Sequence, residues 1–198
     1  MSDPFFTTYS AFWRRIESEK VCVRYDSPSN RYAEVGYFDH KGGNYENRRA
    51  PFGERGPCVA ICRLSYPEPL DQPSEYRTDG VAVDLRDEMV TLAHEYGHCL
   101  SFRGQTPRKE WDAYFAAASR RDQVVDARRS AGASDVEGDR KALAEALSDA
   151  EKALIIREEE LAWRLGRSEL PKELHPALDQ RVAIVLSKQR YSWGIGPQ

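Results

Sequence analysis

The sequence predicts an α+β fold, in which a small, mostly antiparallel N-terminal sheet packs on one long helix and a helical half follows. Three observations lead to this prediction. Short apolar stretches rich in β-branched and aromatic residues occur within residues 21–64, separated by clusters of turn-forming residues. Apolar residues at helical spacing dominate from about residue 86 onwards. The length of 198 residues suits one domain with a sizeable core.

The N-terminal half supplies one predicted helix and four predicted strands. Residues 5–20 carry apolar and aromatic side chains at helical spacing, which indicates a short helix packed on the body. Residues 21–25 and 32–38 have strand composition and flank a turn cluster, so they are predicted to form a hairpin. Residues 57–64 and 81–85 are the third and fourth strand candidates.

The C-terminal half is predicted to consist of long helices. Pro107 occupies a position that a first helical turn tolerates, and the Ala- and Arg-rich run to about Arg129 favours a helix. A second long helix is predicted from about Asp139 to Leu165, because its apolar residues form one stripe at helical spacing. The stripe consists of Leu143, Leu147, Ala150, Leu154, Leu161 and Leu165. Residues 178–191 predict a last helix.

Composition and charge argue against several classes of function. The formal net charge is −3 with both signs interspersed, so a nucleic-acid-binding surface is not expected. No apolar run approaches the ~18 residues that a membrane span needs. The first residues lack the basic start and apolar run of a secretory signal, so we expect a cytoplasmic location. The four cysteines are then expected to be reduced thiols.

The pattern H-E-x-x-H occurs at His94-Glu95-Tyr96-Gly97-His98. On a helix, positions four apart share a face, so His94 and His98 can bind one metal ion. Glu95 is rotated by about 100° from His94, which places its carboxylate beside the ion, where a base is needed. Two imidazoles at this spacing suit Zn²⁺. The motif therefore predicts a zinc metallopeptidase, with Glu95 as the general base that activates a zinc-bound water.

A catalytic zinc ion usually has three protein ligands, so one further ligand is expected. The metzincin pattern would need glycine and histidine where this chain has Ser101 and Gly104, which excludes that class. His40 and His175 lie in loop regions without a ligand-like context. A carboxylate from a later helix is the better candidate.

The acidic run Glu158-Glu159-Glu160 lies among apolar residues of the second long helix. A buried carboxylate needs a partner, and a metal ion is one. Helical periodicity places Glu158 on the leucine stripe. An exposed acidic turn, paired with Arg157 or Arg164, is the structural alternative, and the residues alone leave these possibilities open.

H-E-x-G-H followed by Glu159-x-x-Ala162 resembles the gluzincins, and in particular the ImmA/IrrE-type metallopeptidase domains. The resemblance covers about residues 57–102 and 155–167. It implies a zincin-like fold and a zinc site formed by His94, His98 and Glu159. Glu110-x-x-Ala113 is a rival for the third ligand at more conventional spacing, and Glu158 is the other.

We predict a single metallopeptidase-like domain over residues 1–198. Relative to the compact members of the family that it resembles, residues at about 105–150 form a helical insertion. The substrate of this domain would be a protein or peptide, for which a regulatory protein is one candidate, bound along an edge strand at Cys58–Leu64. Tyr96, His175 and Tyr191 are candidate donors to the oxyanion.

Two alternative functions remain open from the sequence. One is a non-proteolytic zinc-binding module for regulation or protein interaction, and the other is a toxin or effector protease that a partner activates. Neither a membrane nor a nucleic acid is expected as a partner, and the sequence leaves the oligomeric state open.

Overall fold

The computed structural model describes residues 4–26, 36–39, 58–62, 77–78, 81–82, 85–133 and 135–193. The α-helices of this part are α1 (Pro4–Ser18), α2 (Leu85–Leu100), α3 (Arg108–Ser130), α4 (Val136–Ala146), α5 (Asp149–Glu169) and α6 (His175–Ser192). A π-helical turn (Ser101–Gln105) extends α2, and a 3₁₀ turn (Lys172–Leu174) precedes α6. The strands are β1 (Cys22–Asp26), β2 (Gly36–Asp39), β3 (Cys58–Cys62), β4 (Arg77–Thr78) and β5 (Val81–Ala82).

The predicted α+β class with a mostly antiparallel sheet is wrong. Helices form most of the described chain, and the strands are short. In the three-stranded sheet β3 lies in the middle, parallel to β1 and antiparallel to β2, while β4 and β5 pair separately. The predicted hairpin is also wrong, because β1 and β2 each pair with β3 and not with each other. Apolar alternation identifies a strand, but it does not specify the partner or the direction of pairing.

The central position of β3 also corrects the predicted substrate-binding edge. The residues Cys58–Cys62 pair with β1 on one side and with β2 on the other. Their main-chain donors and acceptors are therefore committed to the sheet, and a peptide cannot add to this strand as to an exposed edge. Val59 is fully buried.

The single long helix predicted over 139–165 is wrong, because the chain breaks at Ser148. The Ser148 hydroxyl accepts a hydrogen bond from the Glu151 amide at 3.3 Å, and the Glu151 carboxylate accepts one from the Ser148 amide at 2.8 Å. This capping box begins α5 as a helix separate from α4. Within the predicted leucine stripe Leu147 is buried, Ala150 is exposed, and Leu154, Leu161 and Leu165 are only partly buried.

Two hydrophobic clusters form the core, and both contain residues of α5. The first joins α1, β1, β3 and α2 to Trp163 and to residues that follow α5. The second joins α3, α4 and the start of α5 to Trp193. The facing sides of α2 and α5 lie where the two clusters meet. No helix in the described ranges is both long and apolar enough to cross a membrane.

Candidate metal centre

The helices α2 and α5 approach each other so closely that their backbones are in contact. A Cβ atom added to Gly97 would lie 1.9 Å from the backbone oxygen of Ala162, and one added to Gly166 would lie 2.2 Å from that of Ala93. Because position 93 faces 166 and position 97 faces 162, the two helices run in opposite directions at this crossing. Glycine is required at both positions, since any side chain would push the helices apart.

This close crossing brings together His94 and His98 of α2 and Glu159 of α5. The Nε2 atom of His94 lies 3.3 Å from Oε2 of Glu159, and Nε2 of His98 lies 3.7 Å from Oε1. One potential ligand atom from each residue falls within 4.8 Å of the other two. Among the described residues, this is the one such group of three potential metal ligands.

The spacing of these atoms fits a tetrahedral zinc ion. Zinc bonds of about 2.0–2.2 Å at tetrahedral angles separate the ligand atoms by about 3.3–3.6 Å. The 3.3 Å between Nε2 of His94 and Oε2 of Glu159 lies in that range, and the 3.7 Å from Nε2 of His98 to the other carboxylate oxygen, Oε1, lies just beyond it. Two imidazoles and one carboxylate are also the ligand set of a known class of catalytic zinc sites. The residues present therefore fit the ion that the sequence predicts.

Glu95 lies beside these three residues. Its Oε1 atom is 4.0 Å from Nε2 of His94, close to the ligand atoms but further from His94 than Glu159 is. The four side chains are nearly enclosed, with exposures of 8% for His94, 7% for Glu95, 4% for His98 and 8% for Glu159. A low-dielectric environment of this kind strengthens every charge interaction within it.

The two rival carboxylates lie elsewhere. Glu158 is buried, and its carboxylate accepts hydrogen bonds from Ser101 Oγ at 3.0 Å and from Thr106 Oγ1 at 3.1 Å. Its partners are thus the hydroxyls of the π-helical turn that ends α2 and of the residue that follows this turn. Glu110 is paired with Arg157 in a partly exposed ion pair. Neither carboxylate belongs to the group formed by His94, His98 and Glu159.

Aromatic side chains from both hydrophobic clusters enclose the two imidazoles. Trp163 of α5 stacks on His94, with ring centroids 3.8 Å apart and planes inclined by 19°. Trp111 and Tyr114 of α3 pack against His98, with centroids 6.3 Å and 6.1 Å away. These contacts fix the orientation of both rings. The predicted helical insertion therefore contributes a wall of the site through α3.

Tyr114 is a site residue that the sequence analysis missed. Its hydroxyl donates a hydrogen bond to Oε1 of Glu159 at 3.5 Å, at the long end of the range for such bonds. The available signal was a group of three aromatic residues, Trp111, Tyr114 and Phe115, near the start of a helix otherwise rich in alanine and charge. That signal indicates a buried face, but it does not indicate what the face covers.

The electrostatics of the site favour an ionised carboxylate and one neutral imidazole. Burial would raise the pKa of Glu159, but hydrogen bonds from His94 and His98 outweigh it and hold that pKa well below its usual range. Burial lowers the pKa of His94. The pKa of His98 is raised, because the hydrogen bond and charge of Glu159 exceed the opposite effect of burial. Burial also raises the pKa of Tyr114, whose hydroxyl therefore stays protonated.

Two of the three candidate oxyanion donors, Tyr96 and His175, make hydrogen bonds away from the site. The Tyr96 hydroxyl donates to the Glu19 carboxylate, and the His175 ring lies 3.2 Å from the Leu170 carbonyl oxygen through Nε2. The side chain of Tyr191 lies outside the described residues, as does His40.

Comparisons with protein-family models, with curated proteins and with solved structures found no match to this chain.

Proposed function

We propose that the protein is a zinc metallopeptidase that hydrolyses peptide bonds of a protein substrate. The observation that carries this proposal is the convergence of His94, His98 and Glu159 within 4.8 Å, with the Glu95 carboxylate 4.0 Å from His94. A base adjacent to three zinc-binding groups is the arrangement that hydrolysis needs, and a site that only binds metal has no need for it.

His94, His98 and Glu159 would hold the ion. When bound, zinc supplies Lewis acidity, which polarises the scissile carbonyl and makes a nearby water acidic near neutral pH. Glu95 takes the proton of the attacking water and returns it to the leaving amine. The stacked ring of Trp163 keeps the His94 imidazole in one orientation. The enclosure of all four side chains limits bulk water and so strengthens the charge interactions on which the reaction depends.

Three proteins test this function: the wild type, Glu95→Gln and His94→Ala. We expect one zinc ion per chain in the wild type and in Glu95→Gln, and loss of zinc in His94→Ala. Proteolysis of an unfolded protein such as casein should occur in the wild type alone. Zinc is measured by atomic emission and cleavage by mass spectrometry. Zinc-free wild-type protein, or equal cleavage by Glu95→Gln, would contradict the proposal.

The burial of the site favours a second candidate, a non-proteolytic zinc-binding module, because closed zinc sites are usually structural. Cobalt substitution separates the two. An open coordination position lets added azide change the visible absorption spectrum of the Co²⁺ protein, whereas a closed site leaves that spectrum unchanged. We expect a change, since only three protein ligands come together among the described residues.

Other parts of the proposal follow from the resemblance to ImmA/IrrE-type domains. The substrate is proposed to be a specific protein, for which a regulator is one candidate, and the whole chain is proposed to act as one domain with residues 105–150 inserted in it. A cytoplasmic location is proposed as well, and the buried free thiol of Cys99 suits a reducing compartment.

A further inference from the structure

The Tyr114 side chain is held in the metal centre by an aromatic framework on α3. Its ring lies 5.1 Å from that of Trp111 and 5.5 Å from that of Phe115, in edge-to-face contacts. It also packs against the His98 ring, with centroids 6.1 Å apart. The side chain is only 8% exposed. A buried tyrosine needs a hydrogen-bond partner for its hydroxyl, and the Tyr114 hydroxyl finds this partner in the Glu159 carboxylate.

The two oxygens of Glu159 have different neighbours. Oε2 lies 3.3 Å from Nε2 of His94, closer than Oε1 lies to Nε2 of His98. Oε1 lies 3.7 Å from Nε2 of His98 and accepts the hydrogen bond from Tyr114. A carboxylate can bind a metal through one oxygen or through both, and a hydrogen bond to one oxygen competes with the second mode.

We infer that Tyr114 is a positioning residue for the metal centre: its hydroxyl holds Oε1 of Glu159 and leaves Oε2 as the oxygen that binds the ion. The inference rests on the zinc site proposed above. The inference also gives a role to α3, because Tyr114, which lies in the predicted helical insertion, then determines which oxygen of Glu159 on α5 faces the ion. Partners that orient a ligating carboxylate usually contribute about 10- to 100-fold to metal affinity.

The test compares Tyr114→Phe with a matched control, Tyr9→Phe. Tyr9 is also buried, and its hydroxyl also donates to a carboxylate, that of Glu88, at 3.2 Å, but Tyr9 belongs to the first hydrophobic cluster. Zinc affinity is measured by competition with a chromophoric chelator, and the coordination of Co²⁺ by its visible absorption. Thermal unfolding of each metal-free protein shows whether it is folded.

We expect Tyr114→Phe to bind zinc about 10- to 100-fold more weakly than the wild type. Its Co²⁺ absorption should also fall in intensity, because a second carboxylate oxygen becomes free to coordinate and raises the coordination number. Tyr9→Phe should match the wild type in both measurements. Neither measurement requires proteolysis, so the result does not depend on a substrate.

Three outcomes would overturn the inference. If zinc affinity and the Co²⁺ spectrum are the same in Tyr114→Phe and the wild type, Tyr114 does not position Glu159, although the proposed zinc site stands. If metal-free Tyr114→Phe fails to fold while Tyr9→Phe folds, the hydroxyl maintains the fold and not the metal ligand. If the wild type itself binds no zinc, the proposed function and this inference fail together.

Discussion

Replacing Gly97 by alanine perturbs the metal centre without changing any of its ligands. The added Cβ atom would lie 1.9 Å from the Ala162 backbone oxygen, whereas ordinary van der Waals contact begins at 3.4 Å. Removing the overlap therefore requires a displacement of about 1.5 Å, the difference between those distances. The contacted atom belongs to the α5 backbone and cannot rotate away, so the helices α2 and α5 must separate.

The displacement has consequences for both stability and metal binding. Overpacking costs up to about 3 kcal/mol, and the better helix propensity of alanine offsets about 1 kcal/mol. The net loss of about 2 kcal/mol corresponds to a fall in Tm of roughly 4–8 °C for a chain of this size. Adding about 1.5 Å to the 3.3 Å between Nε2 of His94 and Oε2 of Glu159 exceeds the ~4.2 Å that two zinc bonds can span. Zinc binding should therefore be lost or greatly weakened.

Gly104→Ala is the matched control, because it makes the same chemical change in the turn that follows α2. A Cβ atom added at Gly104 meets nothing within 4 Å. This variant should keep the zinc content of the wild type and should unfold at the same or a slightly higher temperature. Calorimetry and metal analysis of both variants provide the measurement. If Gly97→Ala behaved like Gly104→Ala, the close crossing of α2 and α5 would be refuted.

Three further predictions concern stability. Removing zinc with a chelator should lower Tm in the wild type but not in His94→Ala, because free zinc at about 1,000 times its dissociation constant stabilises the folded state by about 4 kcal/mol. Calorimetry measures Tm with and without the chelator. An equal change in Tm for both proteins would argue against the site. Ser148→Ala should cost about 1 kcal/mol in urea unfolding through loss of the α5 cap, and a cost near zero would argue against the cap. Hydrogen bonds from Ser148 lower the pKa of Glu151, so its stabilisation is full above the unfolded value of 4.5 and is lost as the pH falls through the lower folded value. Glu151→Gln should thus destabilise the protein at pH 7 but not at pH 2, and a difference that persists in acid would contradict this assignment.

Local signals in the sequence were sufficient for several elements. The helix α1 (Pro4–Ser18) and the helix α3 (Arg108–Ser130) closely follow the predicted ranges, because composition and helical spacing act within one element. The motif helix α2 was also predicted, and it places His94 and His98 on the same face, as a four-residue spacing requires. That these residues bind zinc remains a prediction.

Features that depend on distant parts of the chain could not be predicted in the same way. The position of β3 between β1 and β2 depends on which strands meet, and strand composition carries no such information. The break before α5 is different, since the Ser148-x-x-Glu151 capping signal is local and is present in the sequence, where the leucine stripe on either side of it favours one continuous helix. The role of Tyr114 could not be predicted either, because it depends on how α3 packs against α2 and α5.

The choice between Glu158 and Glu159 shows why periodicity and motif disagreed by one residue. Both carboxylates are buried, with 1% and 8% exposure, so neither occupies the exposed acidic turn that the sequence left open. Each has partners on the α2 side: the hydroxyls of Ser101 and Thr106 for Glu158, and the two imidazoles for Glu159. Because successive residues of a helix point about 100° apart, two adjacent buried carboxylates fix the rotation of α5 about its axis. Glu158 thereby holds the register in which Glu159 faces His94 and His98. The leucine stripe indicates the buried face that carries Glu158, but it does not indicate what the neighbouring Glu159 faces.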